Sequence, residues 1–164
     1  MVAAMNTLFV EALLAFLALP GMVAFVIPWL IARAETSGSY DAAGIGLLAI
    51  GTSLLLWCVR EFYVAGKGTL APWTPPRHLV VSGLYQYSRN PMYVAVALVL
   101  LGWALTFHSR PLVIYAVSVI TAFHLRIVLG EEPWLARTHG DAWVRYKSRV
   151  PRWIGPVRYG RVDR

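Results

Sequence analysis

Residues 83–93 read Gly-Leu-Tyr-Gln-Tyr-Ser-Arg-Asn-Pro-Met-Tyr and lead straight into an apolar run. An arginine beside the N-terminus of a helix is a carboxylate-binding arrangement, because free backbone N–H groups and a guanidinium point at the same place. Pro91 suits a first helical position and pushes Asn90 out of helical geometry, so Asn90 is expected to cap the helix that follows. Arg89 is the candidate anion ligand; the alternative is that it snorkels to lipid phosphate. A second polar cluster, Glu131-Glu132, follows the last apolar stretch. Adjacent carboxylates at a membrane face are costly unless a cation answers them. Arg126, about one turn upstream, can answer one. The other is then available to a ligand ammonium or hydroxyl. The alternative is that both are first-turn charges favoured by the helix dipole, ahead of Pro133. His124, upstream in the same apolar stretch, is either a site residue or a packed side chain.

These clusters need elements to hold them. The chain has 164 residues, 58% hydrophobic and only 14% charged. A soluble domain carries roughly 25% charged residues, so this composition describes one integral membrane domain over 1–164. Four apolar stretches stand out: 8–32, 42–59, 91–107 and 111–129. A spanning helix needs about 20 apolar residues, and the third stretch is short. The expected fold is an all-α, polytopic membrane bundle of about four transmembrane helices. His108-Ser109-Arg110 is a tight turn between the last two stretches. The first stretch carries Glu11 and an interruption at Pro20-Gly21. It lacks the basic start of a signal peptide, so it reads as a retained helix bent at Pro20.

The net charge is +7, from 15 Lys+Arg against 8 Asp+Glu. In a membrane chain this excess marks the cytoplasmic side better than it marks nucleic-acid binding. The long connection 60–90 holds Arg60, Lys67, Arg77 and Arg89, and the tail 130–164 holds eight more basic residues, whereas the opposite connections hold Arg33 and Arg110. Both basic segments and both termini are therefore expected in the cytoplasm, with the two polar clusters on one face. In the tail, Trp134, Leu135, Trp143, Tyr146 and Val150 describe the apolar stripe of an interfacial helix, either an anchor or a substrate lid.

Cys58 is the single cysteine, so internal disulfides and multi-cysteine metal sites are excluded. His78, His108 and His139 show no metal-ligand spacing, and no Ser-His-Asp arrangement is present. Gly66-Lys67-Gly68 falls short of a phosphate loop. Trp29, Trp57, Trp73 and Trp103 read as interface anchors or packing.

The motif set resembles the isoprenylcysteine carboxyl methyltransferase and phospholipid methyltransferase superfamily of membrane enzymes. The resemblance runs from about Gly68 to Pro156. It comprises Pro75-Pro76, Gly83-x-Tyr85-x-Tyr87-x-Arg89-Asn90-Pro91-x-Tyr93, Glu131-Glu132-Pro133, His139-Gly140 and Val150-Pro151-Arg152. It implies an S-adenosyl-L-methionine site without a Rossmann fold, formed by Arg89, Asn90, Pro91, Tyr93, Glu131 and Glu132. Gly83, Leu84 and Tyr85, in the adjoining loop, are second-tier candidates; His124 joins the cofactor-binding set by its position in the fourth stretch, and Arg89 and Glu132 carry the catalytic assignment. Two departures stand out. Asn90 replaces a frequent histidine, which removes any proton-transfer role there, and Ala95 replaces a frequent glycine. The implied activity is methyl transfer to a lipid or other lipophilic acceptor; the alternatives are a non-catalytic membrane partner or a small helical transporter.

Overall fold

The computed structural model describes residues 17–34, 40–64 and 79–155, and Glu11, Lys67, Trp73, Pro75-Pro76, Arg77, His78 and the last tail arginines lie outside them. Helix α1 runs through Leu17–Val26, wound with five-residue hydrogen bonding, and continues as a regular α-helix over Ile27–Ala32. Helix α2 is Ala42–Val64, α3 is Pro91–Phe107, α4 is Arg110–Arg126 and α5 is Glu132–Arg149. All regular structure among the described residues is helical.

Two helices are long and apolar enough to cross a membrane: Ala42–Glu61, and the run Arg110–Arg149 of 40 residues. Pro20–Ala32 and Pro91–Phe107 are shorter apolar helices. At 1.5 Å per residue α3 is roughly 26 Å long, a little short of a bilayer core of about 30 Å. Ile50, Leu56, Trp57, Ile114 and Val117 are exposed on the outer faces of α2 and α4, an arrangement that lipid tolerates and water does not.

The proline chemistry of α1 is answered by its neighbours. Pro28 has no N–H to return to the carbonyls four and five residues back, those of Ala24 and Val23. The Trp103 indole N–H donates to the Ala24 carbonyl at 3.0 Å, and the Tyr115 hydroxyl donates to the Val23 carbonyl at 3.0 Å. One proline thus ties α1 to both α3 and α4. Helices α2 and α3 make the closest contact. A Cβ on Gly51 would lie 2.8 Å from the Val99 backbone nitrogen, and one on Gly102 would lie 2.8 Å from that of Leu48. Small residues allow this backbone approach, which gains dispersion contacts that lipid cannot replace. Ala95 is fully buried within the same core, together with Leu55, Val99 and Leu100.

The turn between α3 and α4 is as tight as expected. His108 takes the left-handed conformation at φ 47°, and the Ser109 hydroxyl accepts from Leu112 N–H at 3.3 Å. Two expected boundaries move. Helix α2 continues past 59 to Val64. The fourth stretch does not stop at 129 before a separate helix at Pro133. Arg126 runs through a wide turn, Ile127–Glu131, directly into α5. Glu132 N–H bonds to the Ile127 carbonyl, five residues back. The extra residue in that turn makes room for Pro133, whose ring would clash with the carbonyl four residues upstream in a regular helix. Glu131 and Glu132 therefore do not open a helix, and the first-turn explanation for them falls.

Candidate functional site

Three segments meet at one end of the bundle: residues 79–90, the junction of α4 and α5, and the stretch after α5. The first is shaped at Gly83, which sits at φ 57° and opens the short 3₁₀ turn Gly83–Gln86. A Cβ here would lie 2.8 Å from the Glu61 carboxyl carbon. Glu61, 12% exposed at the end of α2, accepts from the Ser82 hydroxyl at 2.8 Å. Leu84 is half-buried. Tyr85 is buried against Cys58 and Val80. Burial, more than the neighbouring charges, pushes the Tyr85 phenol well above its ordinary pKa, so it stays protonated. Tyr85 therefore packs into the protein, and its backbone carbonyl accepts the Tyr146 hydroxyl at 2.7 Å.

Arg89 is fixed from three directions. Its backbone N–H donates to the Pro151 carbonyl at 2.9 Å. Its guanidinium carbon lies 5.4 Å from the Trp143 ring centre, a cation–π distance. Its Nη1 donates to Glu132 Oε1 at 2.8 Å, with the two side chains 8% and 11% exposed. Arg152 reaches the same carboxylate bidentately, Nε to Oε1 at 2.8 Å and Nη2 to Oε2 at 2.9 Å. Burial alone would raise the Glu132 pKa. The Arg152 hydrogen bonds and the charges of Arg89 and Arg152 outweigh it and hold the carboxyl below its ordinary value. Glu132 is thus a fixed anion and a poor base. Two guanidiniums share one carboxylate, so the cluster keeps one surplus positive charge. Arg89 Nε is buried and has no hydrogen-bond partner among the described residues. A surplus charge and an orphaned buried donor on the same side chain are what a carboxylate ligand would satisfy.

Glu131 turns elsewhere. Its Oε1 accepts from the Tyr93 hydroxyl, and from Arg126 Nε at 2.8 Å. The expected Arg126 partnership is therefore present. The Tyr93 ring packs on Phe123, with centres 4.5 Å apart. Pro91 is buried at the first position of α3. Asn90 does not cap that helix, and its backbone stands at φ −131°, ψ 50°. Its side chain instead donates from Nδ2 to the Arg152 carbonyl at 3.0 Å. The carbonyl of a distant segment has outcompeted the local cap.

The stretch after α5 acts as a strap. It returns to the site because α5 is broken at Gly140, which adopts φ 47°, ψ −123°. Beyond this kink Trp143, Tyr146 and Val150 bury one face against Leu79 and Leu135. Trp134, expected in the same stripe, is 44% exposed and stands edge-on to His139. Trp153, at the end of the strap, stacks on His124 with ring centres 6.0 Å apart. His124 is exposed and stands against Trp153 of the strap, away from the Arg89–Glu132 ion pair.

The structure brings Arg89, Asn90, Tyr93, Glu131 and Glu132 together. It adds Arg152, Trp143, Tyr146 and Glu61, which sequence reasoning did not assign to the site. Arg152 was visible only as part of Val150-Pro151-Arg152. Its meeting with Glu132 depends on the reversal at Gly140, which no periodicity announces.

No solved structure matches the chain. A curated relative, methanethiol S-methyltransferase of Crocosphaera subtropica (strain ATCC 51142 / BH68), is 32% identical over 80 residues. The match covers 46% of this chain and 29% of that protein, so the chain spans under a third of the relative's length in the aligned region. Residues 40–142 match the family described as phospholipid methyltransferase. That range is more than half of the chain, and it contains Arg89, Asn90, Tyr93 and both glutamates. The chain, whose polar cluster lies at the end of these apolar helices, therefore belongs to the phospholipid methyltransferase family.

Proposed function

We propose that the chain transfers a methyl group from S-adenosyl-L-methionine to a lipophilic acceptor at the cytoplasmic face of a membrane. The observation that carries this reading is the Arg89–Glu132–Arg152 cluster, with its surplus positive charge and the orphaned Arg89 Nε. The amino-acid end of the donor carries a carboxylate that matches both. When bound, the donor supplies an activated methyl group on a sulfonium. Arg89 and Arg152 would hold its carboxylate. Glu132 stays ionised and holds both guanidiniums on one carboxylate. Trp143 covers one face of Arg89 and excludes water from it. Alignment of donor and acceptor then supplies most of the rate.

The relative's name supports a sulfur acceptor as one member of the lipophilic class, beside phospholipid amines and isoprenylcysteine-like carboxylates. A multi-pass topology with both termini in the cytoplasm follows from the basic residues of 60–90 and the tail. A transporter reading is disfavoured. Such proteins place ionisable groups at mid-membrane, and the charges of α2, α3 and α4 lie at their ends: Arg60, Glu61, Arg110 and Arg126.

The test is calorimetric titration of the detergent-purified protein with S-adenosylhomocysteine and S-adenosylmethionine, beside Arg89→Ala. Wild type binds and Arg89→Ala loses at least tenfold in affinity. A folded wild type that binds neither ligand refutes the function, and binding that survives Arg89→Ala refutes the site.

A further inference from the structure

The strap that carries Arg152 is fastened at one end. Arg152 binds Glu132 through Nε and Nη2, and its carbonyl accepts from Asn90 Nδ2 at 3.0 Å. The Pro151 carbonyl accepts from Arg89 N–H at 2.9 Å. One residue later the polar fastening ends. Among the described residues, Trp153, Ile154 and Gly155 make no hydrogen bond.

The tip offers apolar surface instead. Ile154 is 81% exposed. Trp153 is half-buried, stacked on His124, and borders one apolar groove together with Tyr93 and Phe123. A single exposed isoleucine is ordinary on any protein, so its position decides. Tyr93 lies in the first turn of α3 and Phe123 in the last turn of α4. Trp153 therefore stands at the level where two apolar helices end. That is the depth at which tryptophan and tyrosine collect, with their rings in the headgroup layer of a bilayer. The surface of α3 and α4 that it borders is apolar, through Val94, Ala97 and Ile120, and Leu125 beside His124 is exposed. The tip thus continues the lipid-facing surface of the bundle. Helix α5, just before the strap, turns a different surface outward: Arg145, Ser148 and Arg149 are exposed.

We infer that Trp153 and Ile154 are seated in the bilayer interface, and that the membrane is the partner that holds Arg152 on the donor site. The inference rests on the methyl-transfer reading above and gives that site a regulator, the lipid surface. Ile154 is two positions from Arg152, so the depth of the tip sets the reach of the guanidinium. A tip held in lipid keeps Arg152 bidentate on Glu132; a tip lifted into water carries it away. Ordering the strap costs conformational entropy, and removing the isoleucine and the indole from water offsets it. Two guanidiniums then face the donor carboxylate only where a lipid-borne acceptor is at hand.

Fluorescence reads the seating. Ile154→Cys carries a bimane label, and Cys58 is fully buried, so the labelled wild type serves as the blank. Ser148→Cys, on the exposed face of α5, is the aqueous reference. In phosphatidylcholine nanodiscs, doxyl groups near the top of the acyl chains are expected to quench the label at 154 at least threefold more than the label at 148. Iodide in the buffer should do the reverse. Calorimetry in the same nanodiscs reads the coupling. Ile154→Asn removes the anchor without adding a charge that competes for Arg152. It is expected to weaken S-adenosylhomocysteine at least fivefold and to leave 5′-methylthioadenosine, which lacks the carboxylate, within twofold. Ile154→Leu is expected to match wild type, and helix content by circular dichroism should be the same in all three. Equal quenching at 154 and 148 overturns the seating. A lipid-quenched tip whose Ile154→Asn variant binds S-adenosylhomocysteine like wild type overturns the coupling, as does an equal loss for both ligands. A wild type that binds no S-adenosylhomocysteine refutes the methyl-transfer reading and the coupling with it, while the quenching contrast, measured without ligand, still decides the seating.

Discussion

Removing Glu132 should cost more than removing either arginine that binds it. In wild type one carboxylate, 11% exposed, takes three charge-assisted hydrogen bonds of 2.8–2.9 Å. Glu132→Ala leaves Arg89, 8% exposed, as a buried cation with no counter-charge. Breaking a buried pair this way costs about 3–5 kcal/mol. Arg152 is 32% exposed and can swing into water, so its own loss adds little. Arg152→Ala is milder, because the Arg89–Glu132 pair survives as a neutral unit. The loss is a bidentate, partly exposed contact, about 1.5–3 kcal/mol. For a chain of this size 1 kcal/mol moves Tm by roughly 2–4 °C. Glu132→Ala should therefore lower Tm by roughly 6–20 °C, and Arg152→Ala by about half as much. Thermal unfolding in detergent, followed by circular dichroism, reads both. The same two variants separate stability from ligand binding. Arg152→Ala removes the surplus positive charge while preserving most of the fold. It should weaken S-adenosylhomocysteine about tenfold or more and leave 5′-methylthioadenosine, which lacks the amino-acid end, unchanged. Equal Tm losses for the two variants would refute the shared-carboxylate reasoning. An equal loss of affinity for both ligands would refute the carboxylate-binding role.

The pH dependence has a definite sign. The folded Glu132 pKa lies below the ordinary 4.5, so its contribution is complete above 4.5 and is lost as pH falls through the lower folded value. The Tm difference between wild type and Glu132→Gln should be flat from pH 8 to 5 and shrink below 4.5; a difference that grows on acidification would reverse the assignment. Asn90→Ala removes one side-chain bond to the Arg152 carbonyl, worth about 0.5–1.5 kcal/mol. It should raise amide exchange in 150–155 well before it changes exchange in α3. Asn90→His keeps a ring donor and should recover part of that protection. Gly140→Ala meets no steric neighbour but imposes φ 47°, ψ −123° on an L side chain. The strain is about 1–3 kcal/mol, and the strap should detach, with loss of S-adenosylhomocysteine affinity at unchanged helix content.

Much of the scaffold was legible because its signals are local. Pro91 marks a helix start and the apolar run to Phe107 marks its length, and the helix has those bounds. The His108-Ser109-Arg110 turn needed only a left-handed residue and a capping hydroxyl. The misreadings share one physical cause, a distant partner that outcompetes a local preference. Pro133 usually opens a helix; here a widened turn upstream absorbs it, and α4 runs on. Asn90 usually caps; here the Arg152 carbonyl, 62 residues away, takes its amide. Arg60 and Glu61 seemed to end the second stretch, yet a helix tolerates charge at its end, and Ser82 and Gly83 pack against Glu61 there. Arg152 carried no signal of its own, because its position depends on the break at Gly140.

The two glutamates show how a simple element separates two jobs. Successive residues on a helix point roughly 100° apart, so neighbours cannot face the same partner. Glu132 faces Arg89 and the returning strap; Glu131 faces Tyr93 and Arg126. The wide turn at Ile127–Glu131 sets the rotation at which this happens, and Pro133 holds that turn open. A helix starting at Pro133 would have left both carboxylates in a frayed first turn, free to choose partners. Carried on a continuous helix, they are directed by its geometry. One is locked as a counter-ion between two guanidiniums, and the other is held by the Tyr93 hydroxyl and Arg126. The doublet is therefore best understood as two residues with different chemistry, and a substitution at either should not mimic the other.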